Sequence, residues 1–201
     1  ALWIMGKANF KIANLENALR YYNRALGQFE KFNMREEQAK ILIGLSEVYD
    51  YAKNPDMALV YLENAYSLAV QLRDYHLQTT ILMNFGQIHT KKGSYKIAIT
   101  QYTKVLQRIG DENLTDEEKS IETTCYNKIG LSYKNLGEFQ QSLTAYKKAS
   151  KLALSYGDSA EYEKNQREIA LSFYLAQKMD SSLVYYMRSL IISTGLEDSL
   201  E

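Results

Sequence analysis

Three series of residues run through this chain with a single period. Small residues stand at Ala18, Ala58, Ala98, Ser142 and Ser182, in steps of 40, 40, 44 and 40 residues. A second small position, Gly6, Ser46, Gly86, Gly130 and Ala170, keeps the same steps. A third, four residues beyond the first, is large: Tyr22, Leu62, Tyr102, Tyr146 and Tyr186. A register held this way across 201 residues constrains the fold more than any composition can. One unit of this length cannot bury its own apolar face, so neighbouring units must stack into an array with a continuous core.

Each unit reads as two helices. Leu82, Phe85 and Ile88, like Tyr126, Ile129 and Tyr133, have the spacing of one helix face. A break follows, at Asn54-Pro55-Asp56 or Gly93-Ser94, where asparagine caps well and proline suits the first helical position. The second helix then buries Ala58, Tyr61, Leu62 and Ala65, or Ala145, Tyr146 and Ala149. Between units, Gly110 and Gly157 read as left-handed helix ends, and Thr115 to Glu118 as a capping box. The four-residue excess falls in the acidic connection from Asp111 to Glu118. The expected organisation is one array over 1–201, with repeats at 1–34, 35–74, 75–114, 115–157 and 158–195.

The order Gly130, Tyr133, Gly137, Ser142, Tyr146, Ala149 resembles the tetratricopeptide repeat. The resemblance covers the whole chain as five degenerate units in phase. It implies an all-α, right-handed superhelix (an α-solenoid) of about five helix-turn-helix repeats. The period of 40 rather than 34, and the lack of the proline near the end of the second helix, imply longer helices. Such variants occur in peptide-sensing bacterial regulators and in eukaryotic scaffold proteins.

Chemistry finds little support in the residues. Neither a phosphate loop nor a dinucleotide fingerprint occurs around the paired glycines Gly86 and Gly93 or Gly130 and Gly137. These read instead as helix-packing and left-handed turn positions. His89 occupies the slot of Tyr49, Tyr133 and Phe173, a packing position, and His76 has no Cys or second His nearby. The single Cys125 reads as a small core residue. Acidic pairs such as Glu36-Glu37 and Glu117-Glu118 suit helix starts. No catalytic residue, metal or cofactor is expected. A net charge of +0 and pI near 7.0 argue against nucleic-acid binding by this segment, and no apolar run is long enough to insert in a membrane. The compartment stays open, the cytoplasm being favoured over the periplasm. The opening ALWIMGKANF starts in mid-pattern, as a processed protein or an excised piece would.

The family resemblance implies that the first helix of each unit lines an inner groove. That places Trp3, Lys7, Phe10 and Lys11 there from the first unit, and Lys40, Ile43, Glu47, Asp50 and Tyr51 from the second. The third adds Met83, Asn84, Gln87 and Lys91, the fourth Asn127, Lys128, Leu131 and Lys134, and the fifth Lys164, Arg167, Leu171 and Tyr174. Basic residues outnumber acidic ones in this set, and Asn84 and Asn127 can hold an extended backbone. The expected partner is a protein or peptide, acidic or with a free C-terminus, with Lys128, Lys134, Lys164 and Arg167 as charge partners. The chaperone-binding carboxylate clamp does not carry over, because its first-unit Lys and Asn positions fall on Trp3 and Lys7. The stretch MDSSLVYYMRSLII, 179–192, is similar to repeats of bacterial sensor regulators, and beyond Gly195 another helix could begin. The function this implies is the interaction module of a bacterial signalling or transcriptional regulator. The alternative is a scaffold or homo-oligomerisation module.

Overall fold

The computed structural model describes residues 1–110 and 114–194, and these form ten helices and no strand. Asp111, part of the acidic connection, and Gly195 with the LEDSLE tail lie outside the described residues. The chain divides into two compact units, Ala1–Gly93 and Ser94–Glu201. Unit 1 holds α1 (Leu2–Lys11), α2 (Leu15–Lys31), α3 (Arg35–Tyr51), α4 (Pro55–Leu72) and α5 (Tyr75–Lys91). Unit 2 holds α6 (Tyr95–Ile109), α7 (Asp116–Asn135), α8 (Phe139–Ser155), α9 (Ser159–Leu175) and α10 (Met179–Thr194).

Side-chain caps start five of the helices. Asn54 accepts the Met57 amide ahead of Pro55, and Thr115 and Glu118 bond reciprocally as a capping box. Asn14, Asp74 and Asp158 cap in the same way, whereas the Ser94 side chain makes no capping bond. The turn inside each pair has a positive φ at Ala13, Lys53, Gly93, Gly137 and Gln177. Gly93 and Gly137 take the left-handed turn expected of them, and the other three units place a side chain in the same region. Gly157 takes positive φ as expected, but Gly110 does not form a left-handed helix end: its φ of 72° comes with ψ of −166°. That extended, mirror-image conformation is open essentially to glycine alone.

The three periodic series mark the helix contacts. Ala18, Ala58, Ala98 and Ser142 are fully buried and Ser182 nearly so. Tyr22 shows why the second series is small. A Cβ on Gly6 would stand 2.6 Å from the Tyr22 ring, and a Cβ on Gly44 2.9 Å from it, so the ring lies between α1 and α3. Gly130 sits the same way against Tyr146, with a Cβ position 3.0 Å from the ring. In the third series Tyr22, Leu62, Tyr102 and Tyr146 are buried, but Tyr186 is 42% exposed. This slot is covered by the following first helix, as Gly44 on α3 covers Tyr22, and none follows α10 among the described residues.

Candidate functional site

The proposed groove residues all lie on first helices: α1, α3, α5, α7 and α9. Within unit 1 these helices meet through side chains at their exposed faces. Phe10 meets Tyr51 edge-on at 5.9 Å between centroids, and Lys91 Nζ donates to Asp50 Oδ2 at 2.5 Å. The wall of protein around Glu47 pushes its carboxyl above the ordinary range, an effect the Lys7 charge opposes. Tyr51 is 60% exposed and Lys7, Gln87 and Lys91 are also exposed, while Asn84 is half-buried.

In unit 2 the face is more enclosed. Asn127, Lys128 and Leu131 of α7 share a cleft of about 150 Å³ with Lys164, Glu161 and Glu168 of α9, floored by Tyr146 of α8. The Asn127 amide donates to Glu161, whose carboxylate also accepts from Lys164 Nζ at 2.9 Å. The Asn127 carbonyl oxygen is buried and has no partner. Tyr174 lies outside this cleft and is 52% exposed.

Lys134 is less open than a charge count implies, whereas Arg167 is exposed but paired. Lys134 Nζ donates to Glu168 Oε2 at 2.5 Å, and its side chain is only 11% exposed. The ammonium also lies 5.8 Å from the Tyr146 ring centre, and burial with the Glu168 charge raises the Tyr146 hydroxyl's pKa. Lys134 thus ties α7, α8 and α9 together. Arg167 pairs with Glu163 one turn away at 3.2 Å. The sequence-based count missed Glu161, Glu163 and Glu168. Their helix face was legible, but side-chain reach between helices cannot be read from periodicity.

Cys125 and His89 sit where the surrounding protein disfavours their charged forms. Cys125 is fully buried, and burial with nearby Glu122 pushes its thiol up to about 12, away from the reactive thiolate. His89 is half-buried on α5, held below its ordinary pKa first by burial and then by Lys92. Among the described residues, no three or more His, Cys, Asp and Glu side chains gather as a metal site. No described helix is long and apolar enough to cross a membrane.

Comparison with known proteins follows the same register. The tetratricopeptide repeat model matches residues 79–111 and 123–156. "Regulatory protein RapG" of Bacillus subtilis is 25% identical over 104 residues, covering 51% of this chain and 28% of that protein. The match thus spans little more than a quarter of the curated relative's length. Among solved structures, BtubC of P. vanneervenii superposes with a TM-score of 0.83 at 14% identity, covering 100% of this chain and 81% of that one. A Rap protein complexed with Competence and Sporulation Factor superposes at 0.69 and 18% identity, covering 98% and 54%. At these identities the structures speak for the fold. With two segments matching the family's repeat pattern and the helix pairs in the same phase, this chain carries tetratricopeptide repeats on the fold of that family.

Proposed function

We propose that the first-helix face binds an extended peptide or protein segment, and that the chain is the sensory or interaction module of a bacterial regulator. The observation that carries this reading is the α7–α9 cleft. There Asn127, Lys128 and Leu131 meet Lys164 and Glu161 beside the unpartnered Asn127 carbonyl oxygen. Amide, ammonium and carboxylate groups beside an apolar side chain match the alternating donors and acceptors of a peptide backbone. The resemblance to RapG, and to a Rap protein held with Competence and Sporulation Factor, supports a regulator of that kind. A single array over 1–201 is part of the same proposal, as is a non-catalytic role. The acidic-ligand version narrows to Lys128, since Lys134, Lys164 and Arg167 each have a carboxylate partner.

The test is selection of binding peptides from a displayed random library on the full chain, with affinities measured by calorimetry. Asn127→Ala combined with Lys128→Glu is expected to weaken the selected peptides by about tenfold or more, with circular dichroism unchanged. Peptides that bind the double variant as tightly as the parent overturn the reading. A scaffold or homo-oligomer role is the second reading. It is favoured by the exposed apolar residues Leu183, Val184, Met187 and Leu190 on α10, and light scattering of Leu183→Lys checks it.

A further inference from the structure

Unit 2 contains a second concavity, unrelated to the first-helix face. A groove of about 560 Å³ opens between α6, α7 and α8, a volume in the range of small-molecule sites. Its lining includes a register position that holds a stacked aromatic pair in two other repeats, a pair the first (Asn9, Tyr21) and third (His89, Gln101) do not have in sequence. In the second repeat Tyr49 of the first helix stacks on Tyr61 of the second, with centroids 5.2 Å apart and planes at 16°. In the fifth, Phe173 stacks on Tyr185 at 5.4 Å and 29°. Both pairs are 12 residues apart in sequence, and the same register in the fourth repeat pairs Tyr133 with Ala145. Tyr133 keeps the aromatic ring, the alanine removes its partner, and both line the groove. Among the described residues no other ring stacks on Tyr133.

The remaining lining fits an aromatic guest. Ile99, Leu106 and Ile129 make apolar walls. Lys148 is the charged residue among the described lining, its ammonium 5.2 Å from the Tyr126 ring centre. A planar ring laid on Tyr133 would regain the offset stacking present in the second and fifth repeats, and an anionic substituent would reach the ammonium.

We propose that this groove binds a small planar aromatic molecule carrying an anionic group, with its ring on Tyr133 in the place left by Ala145 and its charge beside Lys148. The site is independent of the peptide reading and stands or falls separately. The test titrates indole-3-acetate into the 201-residue chain, following the methyl resonances of Ile99, Leu106 and Ile129. Cyclohexaneacetate, of the same charge but without a planar ring, is the control. Saturable shifts are expected with the aromatic acid, and binding about fivefold weaker with the control. Ala145→Tyr restores the internal pair, so it is expected to keep the fold and abolish binding. Tyr133→Leu leaves the groove open but removes the stacking face, and is expected to weaken binding to the level of the control. This second variant decides the matter if the first does not fold. The proposal is overturned by absence of saturation, by equal binding of the two acids, or by undiminished binding to Tyr133→Leu.

Discussion

The cores of units 1 and 2 use one register with different chemistry. Unit 1 buries Ile41 and Ile81 where unit 2 buries Cys125 and Asn165, and Val48 and Ile88 where unit 2 has Ser132 and Ser172. In unit 1 these aliphatics merge with Leu45, Leu62, Ala65 and Ala69 into one apolar cluster. In unit 2 the hydroxyls turn inward and find acceptors. Ser132 donates to the Lys128 carbonyl and Ser172 to that of Glu168, each one turn back, while Ser142 and Ser172 meet across α8 and α9 at 3.1 Å. Gln166 donates to Ser150 at 2.6 Å. At these shared positions unit 1 removes apolar area from water, whereas unit 2 has polar contacts, whose net contribution per bond is smaller. Asn165 departs even from this pattern, since neither atom of its fully buried amide has a partner.

The largest expected effect sharpens that contrast. Leu62→Ala should cost about 2–5 kcal/mol, because a packed apolar site cannot fully collapse. Ser132→Ala at a buried site of unit 2 should cost no more than about 1 kcal/mol. Urea unfolding followed by circular dichroism measures both, and the single tryptophan, Trp3, reports on unit 1 alone. Equal losses for the two substitutions would break the contrast. Next in size, Asn165→Ile puts the residue of Ile41 and Ile81 into unit 2 and should raise stability by about 1–3 kcal/mol, by removing an unsatisfied amide. A lowered melting temperature would instead mean that the amide makes a contribution to unit 2 that isoleucine cannot replace.

A pH dependence separates the units a third way. The folded pKa of His89 lies below its ordinary 6.5, so above that value the imidazole is neutral in both states and its contribution to stability is complete. As pH falls below about 6.5, the unfolded chain takes up the proton first, and stability declines until the folded value is passed. His89→Phe, which installs the residue found at Phe173, should flatten this part of the melting-temperature profile. A slope that persists would assign it to other groups. The smallest effect belongs to the turns. Lys53→Gly relieves a non-glycine φ of 58° and should stabilise unit 1 by about 1 kcal/mol, whereas the matching turn of the fourth repeat already has Gly137. No gain would show that the Lys53 side chain makes up the strain.

Much of the fold was legible because it rests on local rules. The periodic small and large positions mark the helix contacts, and Asn54-Pro55 and Thr115 through Glu118 start helices as written. Glycine preference was a poorer guide at the turns, where the helices on either side hold Ala13, Lys53 and Gln177 in a conformation these residues rarely choose alone. The candidate site was legible as a helix face but not as an electrostatic surface. Lys134 looks like a binding cation in one dimension and is a tie to Glu168 in three. Ala145 carried a partly readable signal, since Tyr21, Tyr61 and Tyr185 hold its register position and Gln101 the remaining one, yet by itself it passes for a small packing residue.

By itself, the sequence determined the helix pairs, their phase and which face each must bury, because period and capping are set by neighbours within a few residues. Tertiary structure decided which charges neutralise one another, which buried amide lacks a partner, and where an absent ring leaves an opening. Those outcomes depend on side chains from helices some 34 residues apart, as with Lys134 and Glu168, meeting within hydrogen-bond reach.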